Sequence, residues 1–287
     1  MAYNLKIIDF GNEVQIRTYK RPVSDKIDKI QYQKDLDEEM NYFEKMDKME
    51  ITPFGTVGYW VDDLGLDNRS ERQKYDDMQR IITVSTNRTK NKVYTYSRAN
   101  KWDWFVTLTL SKEKIDRYDF DICSKTVRQW VSNIRKKYSP DLKYIIVPEQ
   151  HKDGAWHFHG LFANIGDLKL VDSGKTVEKS GDKIYNFGNY KLGWSTATKI
   201  KDTNKAANYI VKYITKSLVG STKSKQRYWV SQNLDLPTVE NYYLEDNEKN
   251  SFLATYLTSV GKEITHTSSV CVNDGSFEQT VCYFEIQ

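Results

Sequence analysis

The sequence predicts an α+β fold: an antiparallel central sheet backed by helices, with an extension at each end. Three observations predict it. From about residue 102 to 236, strand-like and helix-like segments follow one another in the order β-α-β-β-(β)-α-β. Two of those strands are joined by a short glycine-containing turn, so they pair antiparallel. The chain has 287 residues, 39% hydrophobic and 29% charged, which suits a globular core with a wet surface. The expected division is an N-terminal extension over 1–101, a central domain over 102–237 and a C-terminal extension over 238–287.

Each element has a local reason. Residues 1–20 read as a strand pair, because LKIIDF and VQIRTY are strand-like on either side of the turn Gly11-Asn12. Polar amphipathic helices are expected over 26–50 and 69–82. WDWFVTLTL, from 102, is β-branched and aromatic, as a largely buried central strand requires. Val127, Trp130, Val131 and Ile134 recur at helical spacing within 121–138, and Pro140 closes that helix. LKYIIVPEQ and AWHFHGLF are the paired strands, and 183–201 reads as further strand. A helix is expected over 203–218, with Asp202 or Thr203 as its cap, then a short strand in RYWVSQNL before Pro237. The order is that of a ferredoxin-like layer.

Composition excludes some roles. No run of about 18 apolar residues is present to span a membrane. The N-terminus MAYNLKIIDFGNEV lacks the basic and apolar parts of a secretory signal. Three cysteines without zinc-type spacing fit a reducing cytoplasm, and mean hydropathy is −0.70. Charge is unevenly spread. Residues 25–50 hold nine acids against five bases, a net −4. Residues 69–101 hold nine bases against three acids, a net +6, and 199–227 hold eight against one, a net +7. Such local density points to a polyanion partner, with Lys199, Lys201 and Lys205 as candidate DNA contacts.

Three of the four histidines fall within EQHKDGAWHFHGLF, at 151, 157 and 159. On a strand, His157 and His159 share a face while Phe158 points away. With Lys152-Asp153-Gly154 as a three-residue loop and Gly154 left-handed, His151 pairs with Ala155, and Glu149 lies opposite His157. Opposed Cβ atoms stand about 4.5–5.5 Å apart, close enough for a carboxylate and two imidazoles to share a cation. Glu149, His157 and His159 are therefore candidate metal ligands, with His151 a neighbour. The mixed donor set accepts Mg2+, Mn2+ or Zn2+; an open site that must polarise a phosphate favours Mg2+ or Mn2+.

In NKAANYIVKYITKSL, 204–218, Ala207, Ile210, Val211, Ile214 and Leu218 fall on one helical side. Tyr209 and Tyr213 fall on the other, each followed three residues later by a lysine, Lys212 and Lys216. A phenol is neutral near pH 7, and a nearby lysine favours the phenolate. Tyrosines so placed suit nucleophilic attack on a phosphate.

Together these segments resemble the HUH endonucleases, and within them the two-tyrosine rolling-circle replication initiators of small single-stranded DNA phages and plasmids. FVTLTL (105–110) is similar to that family's first motif, His157-Phe158-His159 to its histidine-hydrophobe-histidine motif, and Glu149 to its acidic third ligand. Tyr209 to Lys216 reads Y-x-x-x-Y-x-x-K, like its third motif, so the resemblance covers roughly 105–216. It implies an RRM-like catalytic layer that nicks a single-stranded or extruded origin with a divalent metal. A tyrosine would be joined to the 5′ phosphate, freeing a 3′ hydroxyl, in the cytoplasm of a bacterial host. No G-x-x-x-x-G-K-[ST] occurs, so helicase and other replication proteins would come from the host. Two alternatives are another HUH nuclease (transposase or mobilisation relaxase) and a non-catalytic single-strand binder using Trp102, Trp104 and Trp156.

Overall fold

The two ends of the chain meet in one sheet. In the computed structural model, β1 (Ala2–Asp9) and β2 (Val14–Ser24) form the expected hairpin around Gly11. The structure describes residues 2–24, four two-residue strand pieces between 51 and 66, and 70–222, 225–273 and 278–287. The helix expected over 26–50 lies outside the described residues. The chain divides into two units, the first made from its N-terminal end and residues from Asp235 onward, the second from the stretch between them.

In chain order, the strand pieces are β3 (Ile51–Thr52), β4 (Gly55–Thr56), β5 (Val61–Asp62) and β6 (Gly65–Leu66), paired in twos. Then come α1 (Glu71–Arg98), β7 (Trp104–Leu110), α2 (Phe120–Tyr138), β8 (Lys143–Gln150) and β9 (Trp156–Ala163). β10 (Leu170–Thr176), β11 (Lys183–Phe187), β12 (Gly193–Lys199) and α3 (Thr203–Ile210) follow. A 3-10 turn (Val211–Tyr213), α4 (Lys216–Ser221) and β13 (Trp229–Val230) complete the second unit. β14 (Thr238–Tyr242), α5 (Lys249–Val260), β15 (Ile264–Asn273) and β16 (Glu278–Ile286) return to the first.

The first unit is an antiparallel sheet in the order β14-β1-β2-β16-β15. Leu5, Ile7, Val14, Ile16 and Ile286 are its buried centre, and α5 packs on them through Phe252, Leu253, Tyr256 and Leu257. Asn4 fastens the two ends: its Nδ2 donates to the Leu244 carbonyl at 2.7 Å, and its Oδ1 accepts from the Leu244 N–H at 2.9 Å.

The second unit is a seven-stranded antiparallel sheet, β10-β11-β12-β7-β9-β8-β13, with β7 in the middle. This is the antiparallel α+β layer that the sequence predicts. Alternation gives the sheet two distinct faces. Val106, Leu108 and Phe158 point to one, where α2 covers them; Phe120 of α2 meets Trp156 at 4.8 Å and Trp130 meets Phe187 at 5.8 Å. Phe105, Thr107, Thr109, His157 and His159 point to the other, toward α3 and the 3-10 turn. Trp102 and Trp156, expected as stacking surfaces, are buried; the Trp102 indole donates to the Ser97 carbonyl at 2.8 Å.

Two helices differ from expectation. α1 starts with a capping box between Ser70 and Gln73 but runs on to Arg98, past the expected end at 82. Its β-branched middle stays helical because the Thr83, Thr86 and Thr89 hydroxyls donate to carbonyls four residues back, and the buried Val93 packs into the core. The single helix expected over 203–218 is two. α3 gives way to the 3-10 turn, Ile214 turns extended (φ −85, ψ 92), and Thr215 caps α4 by accepting from the Leu218 N–H at 3.1 Å.

Candidate functional site

The hairpin β8–β9 has the expected register. Glu149 pairs with His157, the His151 N–H donates to the Ala155 carbonyl at 2.9 Å, and Gly154 sits at φ +86. A left-handed residue is needed to close a three-residue loop, and glycine takes that conformation without a Cβ penalty. Register does not fix the side-chain bond, however. Glu149 Oε2 lies 2.7 Å from Nε2 of His159, its diagonal neighbour, and 3.5 Å from Nε2 of His151. His157 instead stacks on His151, with ring centroids 3.8 Å apart.

Two residues the sequence reading did not single out hold these rings from behind. Thr107 Oγ1 is 3.2 Å from His159 Nδ1, and Thr109 Oγ1 is 3.2 Å from His157 Nδ1. Both follow from the pairing of β7 with β9, which sets Thr107 opposite His159 and Thr109 opposite His157. The signal was present in FVTLTL, whose alternate threonines share one face. With each Nδ1 bonded to a hydroxyl, each Nε2 turns to the site.

Electrostatics divide the groups. The hydrogen bond from His159 holds the Glu149 carboxyl below its usual range, so it is ionised near neutrality. Burial, then the nearby imidazoles of His151 and His159, lower His157 to about 4, so it is neutral there. Among the described residues, no three His, Cys, Asp or Glu side chains are arranged to hold a metal ion in this conformation. The donor chemistry nevertheless fits a divalent cation: one carboxylate and two imidazoles share a sheet face, and His157 Nε2 has no hydrogen-bond partner.

The His157 shift has a stability consequence. A neutral, partly buried imidazole takes up protons less readily than in the unfolded chain, so stability is complete above the unfolded value of 6.5 and is lost as pH falls toward about 4. The thermal midpoint should therefore drop across that window, and His157→Asn should flatten the drop. Equal slopes in the two proteins would show that His157 is not held neutral.

The tyrosines close over the same face. The Tyr213 ring stacks on His159 with centroids 3.7 Å apart and planes at 11°. Phe105 wedges beneath both phenols, 5.1 Å from Tyr209 and 6.3 Å from Tyr213, and the two phenol rings are 5.6 Å apart. They are not equivalent. Tyr209 is 45% exposed and has Lys212 Nζ 5.1 Å from its ring. Tyr213 is half-buried, and burial, followed by the Tyr209 hydroxyl and the Glu149 charge, pushes its hydroxyl well above the ordinary phenol range. A lysine-favoured phenolate is thus not what this structure gives Tyr213. Lys216 begins α4 beyond the break, so it does not repeat the placement of Lys212 on one continuous helix.

The candidate DNA lysines are scattered. Lys201 pairs with Asp182 at 2.5 Å and Lys205 with its own cap, Asp202, at 3.4 Å; both lysines are exposed, where such pairs are weak and screened. Lys199 stands opposite Trp104, so alternation places it on the face away from the histidines. The exposed tryptophan on the site's own face is Trp194 of β12, 53% exposed. It pairs with Thr109, which pairs with His157, which pairs with Glu149.

Among the described residues, no helix is long and apolar enough to cross a membrane. Neither the curated proteins nor the solved structures yielded a match to this chain. Residues 103–218, which run from the approach to β7 into α4, match a family of replication-associated proteins of the ORF2 type, and this similarity supports a replication-initiator type of role for the segment that carries the site.

Proposed function

We propose that this protein is a two-tyrosine HUH-type endonuclease that initiates rolling-circle replication by nicking and rejoining single-stranded origin DNA. One observation carries the reading: two phenols and a Glu149–His157–His159 donor set share one sheet face, with Tyr213 stacked on His159 at 3.7 Å. A divalent cation of the Mg2+ or Mn2+ kind, held by those three residues, supplies Lewis-acid polarisation of the scissile phosphate. Binding it requires the Glu149–His159 hydrogen bond to give way to coordination, with the His159 proton on Nδ1 facing Thr107.

The chain's own residues do the rest. The Tyr209 oxygen attacks phosphorus and the bond from phosphorus to the 3′ oxygen breaks. The proton released by the phenol balances the one taken up by the 3′ oxygen, so the products are a 5′-phosphotyrosine and a free 3′ hydroxyl. Lys212, beside Tyr209, offsets the charge that develops there. Tyr213 then attacks the regenerated junction, which releases the finished circle. Thr107 and Thr109 aim the imidazoles, and Thr109→Val should weaken Mn2+ affinity by about 10- to 100-fold in calorimetry while leaving the fold intact. Unchanged affinity would remove that role.

Trp194 lies two strands from His157, about 10 Å at sheet spacing, and offers a base-stacking surface beside the scissile position. Trp194→Ala should cost about 1–3 kcal/mol in single-stranded DNA affinity and remove part of the tryptophan quenching that DNA causes. No change in either would leave Trp194 as mere surface. A purely binding role is less well supported, because two of its three candidate aromatics, Trp102 and Trp156, are buried. Partners on the nicking reading are origin DNA, single-stranded or extruded, and a host helicase with its polymerase, in a bacterial cytoplasm.

The test is direct. With Mn2+ and circular single-stranded DNA carrying candidate origins, an SDS-resistant protein–DNA adduct should form. DNA that binds but never becomes covalently attached, with any divalent metal, would refute the nicking reading.

A further inference from the structure

The sheet face away from the histidines carries a feature that the chemistry above does not use. Between α2, β8 and β13 lies an open cleft of about 1070 Å3. Glu149 and Val147 of β8 point to the histidine face, so Tyr144 and Ile146, on the alternate positions, form the floor of this cleft. Trp229 of β13 completes the floor. The α2 wall presents Lys125, Arg128, Arg135 and Lys136. Their spacing brings them to one flank of the helix over about 16 Å.

Those charges are uncompensated within the cleft. Its one acidic residue, Asp121, is already paired with Lys225 at 2.7 Å. Among the described residues, none of the four cations has a carboxylate within ion-pair distance. Two donors also lack acceptors. Trp229 is 6% exposed, yet its indole N–H makes no hydrogen bond, and neither does Nε of Arg135, whose Nη2 reaches the Pro140 carbonyl only at 3.4 Å. Buried polar groups are rarely left in that state, so these donors point to an acceptor-rich ligand.

We propose that this cleft binds the phosphodiester backbone of single-stranded DNA, as a second strand-binding surface on the opposite side of the sheet from the tyrosines. The proposal rests on the reading of the protein as one that works on single strands. The topology links the two places. Strand order runs β9-β8-β13, and β13, at the sheet edge, is only two residues long. A strand engaged at His157 therefore reaches the cleft by passing one edge, about 10 Å away. A helix wall carrying cations and a half-buried Tyr144 beneath them match the phosphates and bases of a single strand. The four cations fall outside both basic segments evident in the sequence, 69–101 and 199–227.

The test uses the full chain and two variants, Arg128→Gln with Arg135→Gln, and Lys125→Gln with Arg128→Gln. The second pair leaves the Arg135 contact to Pro140 in place, so a loss seen in both does not arise from a damaged helix end. Anisotropy is read with labelled oligonucleotides of about 30 and about 8 nucleotides. Each variant should bind the long strand about tenfold more weakly, with a salt slope lower by about 1.4, the value for two phosphates no longer neutralised. Binding of the short strand, which occupies the reaction site alone, should be unchanged. Unaltered affinity and slope on the long strand would overturn the proposal. So would an equal loss on the short one, or variants that keep DNA affinity but no longer bind a poly-glutamate peptide. Adduct formation is scored separately: its absence in the unaltered protein defeats the nicking reading, while the binding comparison is still decided.

Discussion

Replacing both tyrosines, Tyr209→Phe together with Tyr213→Phe, is expected to abolish covalent capture of DNA, a loss of about 10^4-fold or more in nicking rate. Phenylalanine keeps the rings on Phe105 and His159, so the packing at 5.1 and 3.7 Å survives and only the two oxygens are lost. The single variants should differ. Tyr209 is the more exposed phenol and has Lys212 beside it, whereas the Tyr213 hydroxyl is pushed up by burial. Tyr209→Phe should therefore lose most of the first nick, and Tyr213→Phe should keep nicking but fail to release circles. Identical behaviour of the two singles would contradict this asymmetry. Adduct formation by the double variant would place the nucleophile elsewhere.

The second large effect is expected at the histidines. His157→Ala and His159→Ala should each reduce nicking by about 10^2- to 10^3-fold, since each removes a ligand from an open three-donor site. Single-stranded DNA affinity should stay within a few-fold, because the lysine-rich surfaces remain. His159→Ala also removes the ring on which Tyr213 stacks and the hydrogen-bond partner of Glu149, so it should be the more damaging of the two. Nicking that persists in both variants would eliminate the metal assignment.

The parts of this site that were legible in the sequence are those set by short-range rules. The loop chemistry of Gly154 and strict alternation fix the β8–β9 register, and with it the shared face of Glu149, His157 and His159. What side chains do within that register depends on rotamers and neighbours, so the diagonal Glu149–His159 bond and the His151–His157 stack were not readable. The break at Ile214 was hidden because the apolar spacing Ile210, Ile214, Leu218 continues across it, all three being buried on either reading. Polar β10 gave little strand signal; it lies at the sheet's edge and pairs with β11 through an irregular register between Asp172 and Lys175. Trp194 and the cations of α2 were unremarkable one by one, because their meaning comes from neighbours brought in by long-range strand pairing. The same holds for the first unit, where β1 and β14, more than two hundred residues apart, pair directly.

The most direct test of the nucleophile is its position in the chain. Trypsin cuts after Lys205, Lys212 and Lys216, which separates Tyr209, in AANYIVK, from Tyr213, in YITK. Protein trapped on single-stranded DNA with Mn2+ can be digested with nuclease and trypsin and mapped by tandem mass spectrometry. A nucleotide phosphate on AANYIVK after the first cleavage, and on YITK once strand transfer is allowed to proceed, is the predicted result. A phosphate on any other residue, or none on either peptide from a reaction that has visibly cut the DNA, would contradict it.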